Sequence, residues 1–133
     1  MPDNLSLRSL LVDAAERGIA YREAGAARRV APSPEAVAAA TKFIEPMPDI
    51  GADEKHVLAM LDEVGSPATV MMTGPRYFGF VIGGSLPVTV ATNWLTTAWD
   101  QNVGMHEVTP ITSTLELVAM DWMIDLLDRK SVV

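Results

Sequence analysis

Asp100, His106 and Glu107 stand close together in DQNVGMHEV and supply two carboxylates and an imidazole, the groups that move protons in general acid–base chemistry. Their spacing specifies no reaction, and a solvated loop between two helices is the simpler account of them. Ser85 would act as a nucleophile only with a histidine base and an orienting acid, and its place before a helix gives it the role of a cap instead. The glycines of GPRYFGFVIGGSLP fall at 79, 83 and 84, which is not the dinucleotide spacing, and SLP follows them where a phosphate loop needs a lysine. His56 and His106 are far apart, and neither has a second histidine or a carboxylate at ligand spacing on one helical face, so a metal site is not expected.

These residues must be positioned by helices. From Leu5 to about Ala27, Leu7, Leu11, Ala14 and Gly18 recur at helical spacing opposite charged positions. Pro32 and Pro34 then break and restart the pattern, with Ser33 as cap and Glu35 in the first turn. Pro46, Pro48 and Gly51 form a linker into a helix over Asp53 to Val64 that Gly65 ends. The aromatic and glycine-rich stretch from Gly74 predicts a short extended segment. Ser85 then caps a helix with Pro87 in its first turn and Ala91, Trp94, Leu95, Ala98 and Asn102 on one face. Thr109 and Pro110 open the clearest helix, whose face of Ile111, Leu115, Val118, Trp122 and Leu126 is widened by Leu117, Met120, Met123, Ile124 and Leu127. Only Thr114, Asp121, Asp125 and Asp128 make a polar stripe. Two successive helices with so little polar surface call for a covering partner.

The 133 residues suffice for a real core, and 49% are apolar. A net charge of -7 without a basic run repels a phosphate backbone, so no nucleic acid partner is expected. The absence of cysteine removes disulfides and thiolate chemistry and agrees with a reducing cytoplasm. Asp3, Asp13 and Glu16 interrupt any export signal at the start. The uncharged segment Tyr77 to Trp99 holds three glycines, Pro87, Asn93 and four threonines, so no membrane span is expected.

GPRYFGFVIGGSLPVTVATNWLTTAWDQN and the later EVTPITSTLELVAMDWMIDLL resemble the N-terminal region of the group II pyridoxal-phosphate-dependent amino acid decarboxylases, which include the aromatic amino acid, histidine and glutamate enzymes. The likeness lies in Pro75, Tyr77 and Phe78, the loop Gly79 to Gly84, Ser85, Pro87, and then Pro110, Glu116, Asp121 and Trp122, in order over about fifty residues. Gly74 stands where the family has histidine, and Val81 and Ile82 where several members have an aromatic residue and a proline.

The resemblance implies a mainly α chain: a helical, dimer-forming arm over 1–70, then over 71–133 the substrate-side loop and first long helices of a fold type I enzyme, with the cofactor-binding α/β domain missing. It implies pocket walls rather than catalysts. Phe80, Val81, Gly83 and Gly84 would border the substrate's side chain, and Gln101, Asn102 and Val103 would approach the partner subunit's site. Pyridoxal phosphate is implied for the full-length relatives and not for this chain alone, because Lys130 lacks the context of the cofactor's lysine. The implied partners are an amino acid substrate, a second subunit or the missing C-terminal domain. The alternative is a free-standing helical interaction protein without catalysis.

Overall fold

Proline opens three of the helices and fixes where they begin. The computed structural model describes residues 4–81, 84–102 and 104–128, and among these five α-helices form: α1 (Asn4–Glu23), α2 (Pro34–Ala39), α3 (Glu54–Met60), α4 (Pro87–Trp99) and α5 (Pro110–Asp128). No strand occurs among the described residues, so the chain is mainly helical. Proline suits the first helical position because its missing N–H is one the helix leaves unpaired there anyway.

The local signals for α2 and α3 act as their residue types require. Ser33 is extended at φ -75 and ψ 155, and its Oγ accepts the Ala36 N–H at 3.2 Å. Asp53 does the same for α3, its Oδ1 accepting the His56 N–H at 3.0 Å. After Glu23 the first helix tightens into a 3-10 turn, Ala24–Ala26, so the α-helix stops short of the expected Ala27. Gly65 does not end the third helix in the expected way. It keeps a right-handed φ of -75, and the path continues through a π turn, Leu61–Gly65, and a 3-10 turn, Ser66–Ala68, until Thr69 becomes extended.

Two further expectations are corrected. Leu86, not Ser85, is the N-cap residue of α4, extended at ψ 151 and giving no side-chain hydrogen bond, so Pro87 alone marks this start. The segment from Gly74 forms no strand: turns run to Arg76, with Gly74 N–H on the Met71 carbonyl at 3.2 Å and Tyr77 N–H on the Gly74 carbonyl at 3.3 Å, and no regular element follows from Tyr77 to Val81. Asp100 ends α4 in the left-handed region, φ 50 and ψ 46, which a short polar side chain tolerates better than a branched one.

The chain forms two compact units, Met1–Gly84 and Ser85–Val133, so Met71 to Gly84 group with the first unit. In that unit α1 packs against α3, and α2 against the Ser66–Ala68 turn. Its interior is one side chain wide. Met71 is 2% exposed, its N–H donates to the Val30 carbonyl at 2.9 Å, and its methyl would lie 3.2 Å from a Cβ placed on the buried Gly25. A Cβ on Gly74 would lie 3.0 Å from Met71 Cγ and 3.2 Å from the Gly25 carbonyl oxygen. A histidine at this position therefore requires backbone to move, which gives a packing reason for glycine there.

In the second unit every residue of α4 is exposed, and so is every residue of α5 from Thr114 to Leu127. Trp94, Trp99 and Trp122 remain 42%, 43% and 70% exposed. Thr109, at 6%, is the buried residue among those described in this unit, its hydroxyl donating to the Met105 carbonyl at 3.2 Å ahead of α5. The accessible surface is 11110 Å². No helix among the described residues is long and apolar enough to cross a membrane.

Gly74→Ala should destabilise the first unit by about 1–3 kcal/mol, because its new methyl meets backbone. Gly25→Ala should be milder, since only the flexible end of Met71 has to yield. Hydrogen exchange at the Met71 amide measures both, and equal effects would contradict this account.

Candidate functional site

The first unit carries the described concavity with the richest polar lining. A hollow of about 440 Å³ lies among α1, the Arg28–Ser33 connection and the turns from Asp62 to Thr69, and a neighbouring one of about 370 Å³ shares Arg17, Tyr21, Asp62, Ser66 and Thr69 with it. Helical spacing brings Asp13, Arg17 and Tyr21 to this side of α1. Arg17 Nε donates to Asp13 Oδ1 one turn earlier at 2.9 Å, and its Nη1 donates to Asp62 Oδ2 at 2.9 Å. The hydrogen bond that Arg17 donates to Asp62, and then the one to Asp13, hold the guanidinium above its ordinary pKa.

Asp62 also accepts the Ser66 hydroxyl at 2.8 Å, and the Ser66 carbonyl accepts Arg28 Nη2 at 2.6 Å and Thr69 Oγ1 at 2.8 Å. Because the single Thr69 hydroxyl proton is used there, Tyr21 is the donor in its 2.7 Å contact with Thr69 Oγ1. Arg28 lies 4.5 Å over the Tyr21 ring, a cation on the ring's negative face. Arg76 donates to the Arg28 carbonyl.

This arrangement holds segments together. Ser66 donates to a carboxylate that Arg17 also engages, rather than to a histidine, so the serine–histidine pairing of a catalytic triad is not formed there. The cations Arg17, Arg28 and Arg29 are offset by Asp13 and Asp62 and by Glu35, whose charge interacts with Arg29, so the hollow does not concentrate positive charge for an anion. No group of three or more metal-binding side chains occurs among the described residues. Lys42 and Lys55 line neither hollow, and Lys130 lies outside the described residues.

The residues expected to line a substrate pocket lie elsewhere. Phe80 and Val81 are exposed in the first unit, with Gly84 at its end, and Phe78 is 92% exposed rather than core. Gln101 and Asn102 belong to the second unit. Gln101 Nε2 donates to the Trp99 carbonyl at 2.9 Å, and the Asn102 carbonyl accepts the Thr112 hydroxyl at 3.1 Å, which ties the turn to the first turn of α5. Gly83 and Val103 lie outside the described residues. Asp100 serves as a helix end, while His106 and Glu107 are exposed in a turn. Sequence reasoning missed the Arg17–Asp62 clasp, whose one readable sign was the Asp13 and Arg17 spacing.

No family model, curated protein or solved structure matches this chain.

Glu35 lies below the ordinary glutamate range, first because of the backbone N–H it accepts at the start of α2 and next because of the Ser33 hydroxyl. A carboxylate depressed by folding contributes stability above its unfolded value, about pH 4, and loses it as pH falls through the folded value. Ser33→Ala should move the Glu35 midpoint upward in an NMR titration; an unmoved midpoint would refute the role given to that hydroxyl. Asp62→Ala should lower the urea unfolding midpoint slightly, and by less at high salt, as expected for a partly exposed ion pair.

Proposed function

We propose that this chain is the N-terminal portion of a group II pyridoxal-phosphate-dependent amino acid decarboxylase, a cytoplasmic carboxy-lyase. In this reading it contributes dimer interface and substrate-pocket walls and is inactive alone. The observation that carries the reading is the exposure of α4 and α5 around their circumference. Helices apolar on nearly every side belong inside a larger body, because water opposes exposing so much hydrocarbon. The order of Tyr77, Phe78, the glycine loop, Pro87, Pro110 and Trp122 supplies the family to which that body would belong.

In such an assembly the cofactor and its lysine belong to the remaining domain, and this chain's residues position and exclude. Phe80 and Val81, which are exposed here, would cover the apolar part of an amino acid and keep water from it. Gln101 and Asn102, held through Trp99 and Thr112, would present a fixed turn to the partner subunit's site.

Co-expression tests this with the cofactor-binding remainder of a group II decarboxylase whose own N-terminal region has been removed. The two polypeptides should copurify and release carbon dioxide from an amino acid panel, and Phe80→Ala should raise KM about tenfold with kcat little changed. If the remainder stays aggregated while this chain elutes without it, the free-standing interaction protein is the correct reading. Pyridoxal phosphate added to this chain alone should give no visible absorbance band that depends on Lys130.

A further inference from the structure

The connection into α3 is anchored at both ends and open between them. It runs from Phe43, whose ring lies 3.8 Å from a Cβ placed on Gly65, to Asp53, the cap of α3. Ile44, Met47 and Ile50 are 84%, 92% and 84% exposed, and a Cβ placed on Gly51 meets nothing within 4 Å. Among the described residues, no backbone–backbone hydrogen bond involves residues 45–52.

The prolines set the shape of this stretch. Pro46 and Pro48 hold φ at about -65°, and each keeps the residue before it, Glu45 and Met47, out of the helical region. Four successive residues are thereby confined to the polyproline II and β range, where the backbone needs no partner within its own segment. A polyproline II helix turns once in about three residues, so Ile44 and Met47 share an edge. Ile50 follows at the same interval, where the chain bends at 49–50.

We propose that residues 44–50 are a docking peptide for a separate protein domain whose groove is floored by aromatic side chains and rimmed by Lys and Arg. Flat rings pack well against proline and the apolar side chains beside it. The rim follows from charge: residues 43–53 carry Glu45, Asp49 and Asp53 and no Lys or Arg. A backbone already held extended loses little freedom on binding. The hollow beside Arg17 in a second copy does not supply such a groove, because Arg28 covers the Tyr21 ring at 4.5 Å and Asp62 engages Arg17. This inference goes beyond the decarboxylase reading and does not rest on it.

The test immobilises the full chain and titrates it with an array of SH3, WW and EVH1 domains, sorted by the charge around their grooves. Basic-rimmed domains should bind, and more weakly as salt screens the carboxylates. Met47→Ala, and Pro46→Ala combined with Pro48→Ala, should each raise Kd about tenfold, the first by removing an apolar anchor and the second by loosening the backbone. Glu45→Lys should weaken the same domains. Val37→Ala, at an exposed apolar position on α2, should change nothing.

Circular dichroism of each variant should match the wild type, because the substituted positions are exposed. An array without a binder, binding indifferent to Met47 and both prolines, or equal binding by acidic-rimmed domains would overturn the proposal. Dimers that dissociate on Met47→Ala would also overturn it, since a second copy would then be the occupant. None of these results depends on whether the chain binds a decarboxylase remainder.

Discussion

Apolar side chains in this protein outnumber the interior positions available to hold them, and that imbalance governs most of its features. Burial of hydrocarbon is the main force opposing chain entropy, yet full burial among large apolar side chains is reached at Met71. The first unit makes up part of the deficit with polar ties. Arg17 joins α1 to Asp62, Arg28 joins the connection after α1 to Ser66, and Tyr21 reaches Thr69. Such ties specify which segments meet, but each partly exposed pair adds little free energy.

The second unit has fewer such devices. Its helices are secured at their ends, by Asp100 in the left-handed region and by the buried Thr109, while their flanks face outward. Good ends determine where a helix starts and stops; they do not supply tertiary stability. Among the described residues arginine and lysine occur in the first unit, alongside more carboxylates than the second carries, while the second bears carboxylates on its apolar helices.

Local chemistry was the legible part of the sequence. Ser33, Pro34, Asp53, Pro87 and Pro110 mark helix starts because a cap or a proline acts within three or four residues of itself. Ser85 and Gly65 misled for the same local reason: each has the right residue type beside a helix, but the backbone placed the cap one residue later or stayed right-handed. The breadth of the apolar faces was also readable from spacing, and Trp122 at 70% exposure agrees with it. The hollow beside Arg17 was not readable, because Arg17 and Asp62 are 45 residues apart and nothing in a linear string pairs them. Phe80 and Val81 were assigned walls on family likeness; their exposure fits apolar residues that lack a neighbour.

The lack of basic residues from Tyr77 to Asp128 also determines how the molecule can be dissected. Trypsin cleaves after lysine and arginine, and none occurs between Arg76 and Arg129. However far α4 and α5 open to solvent, that protease releases the entire stretch from Tyr77 to Arg129 as one piece. Mapping its accessibility therefore falls to enzymes that cut beside aromatic or acidic residues.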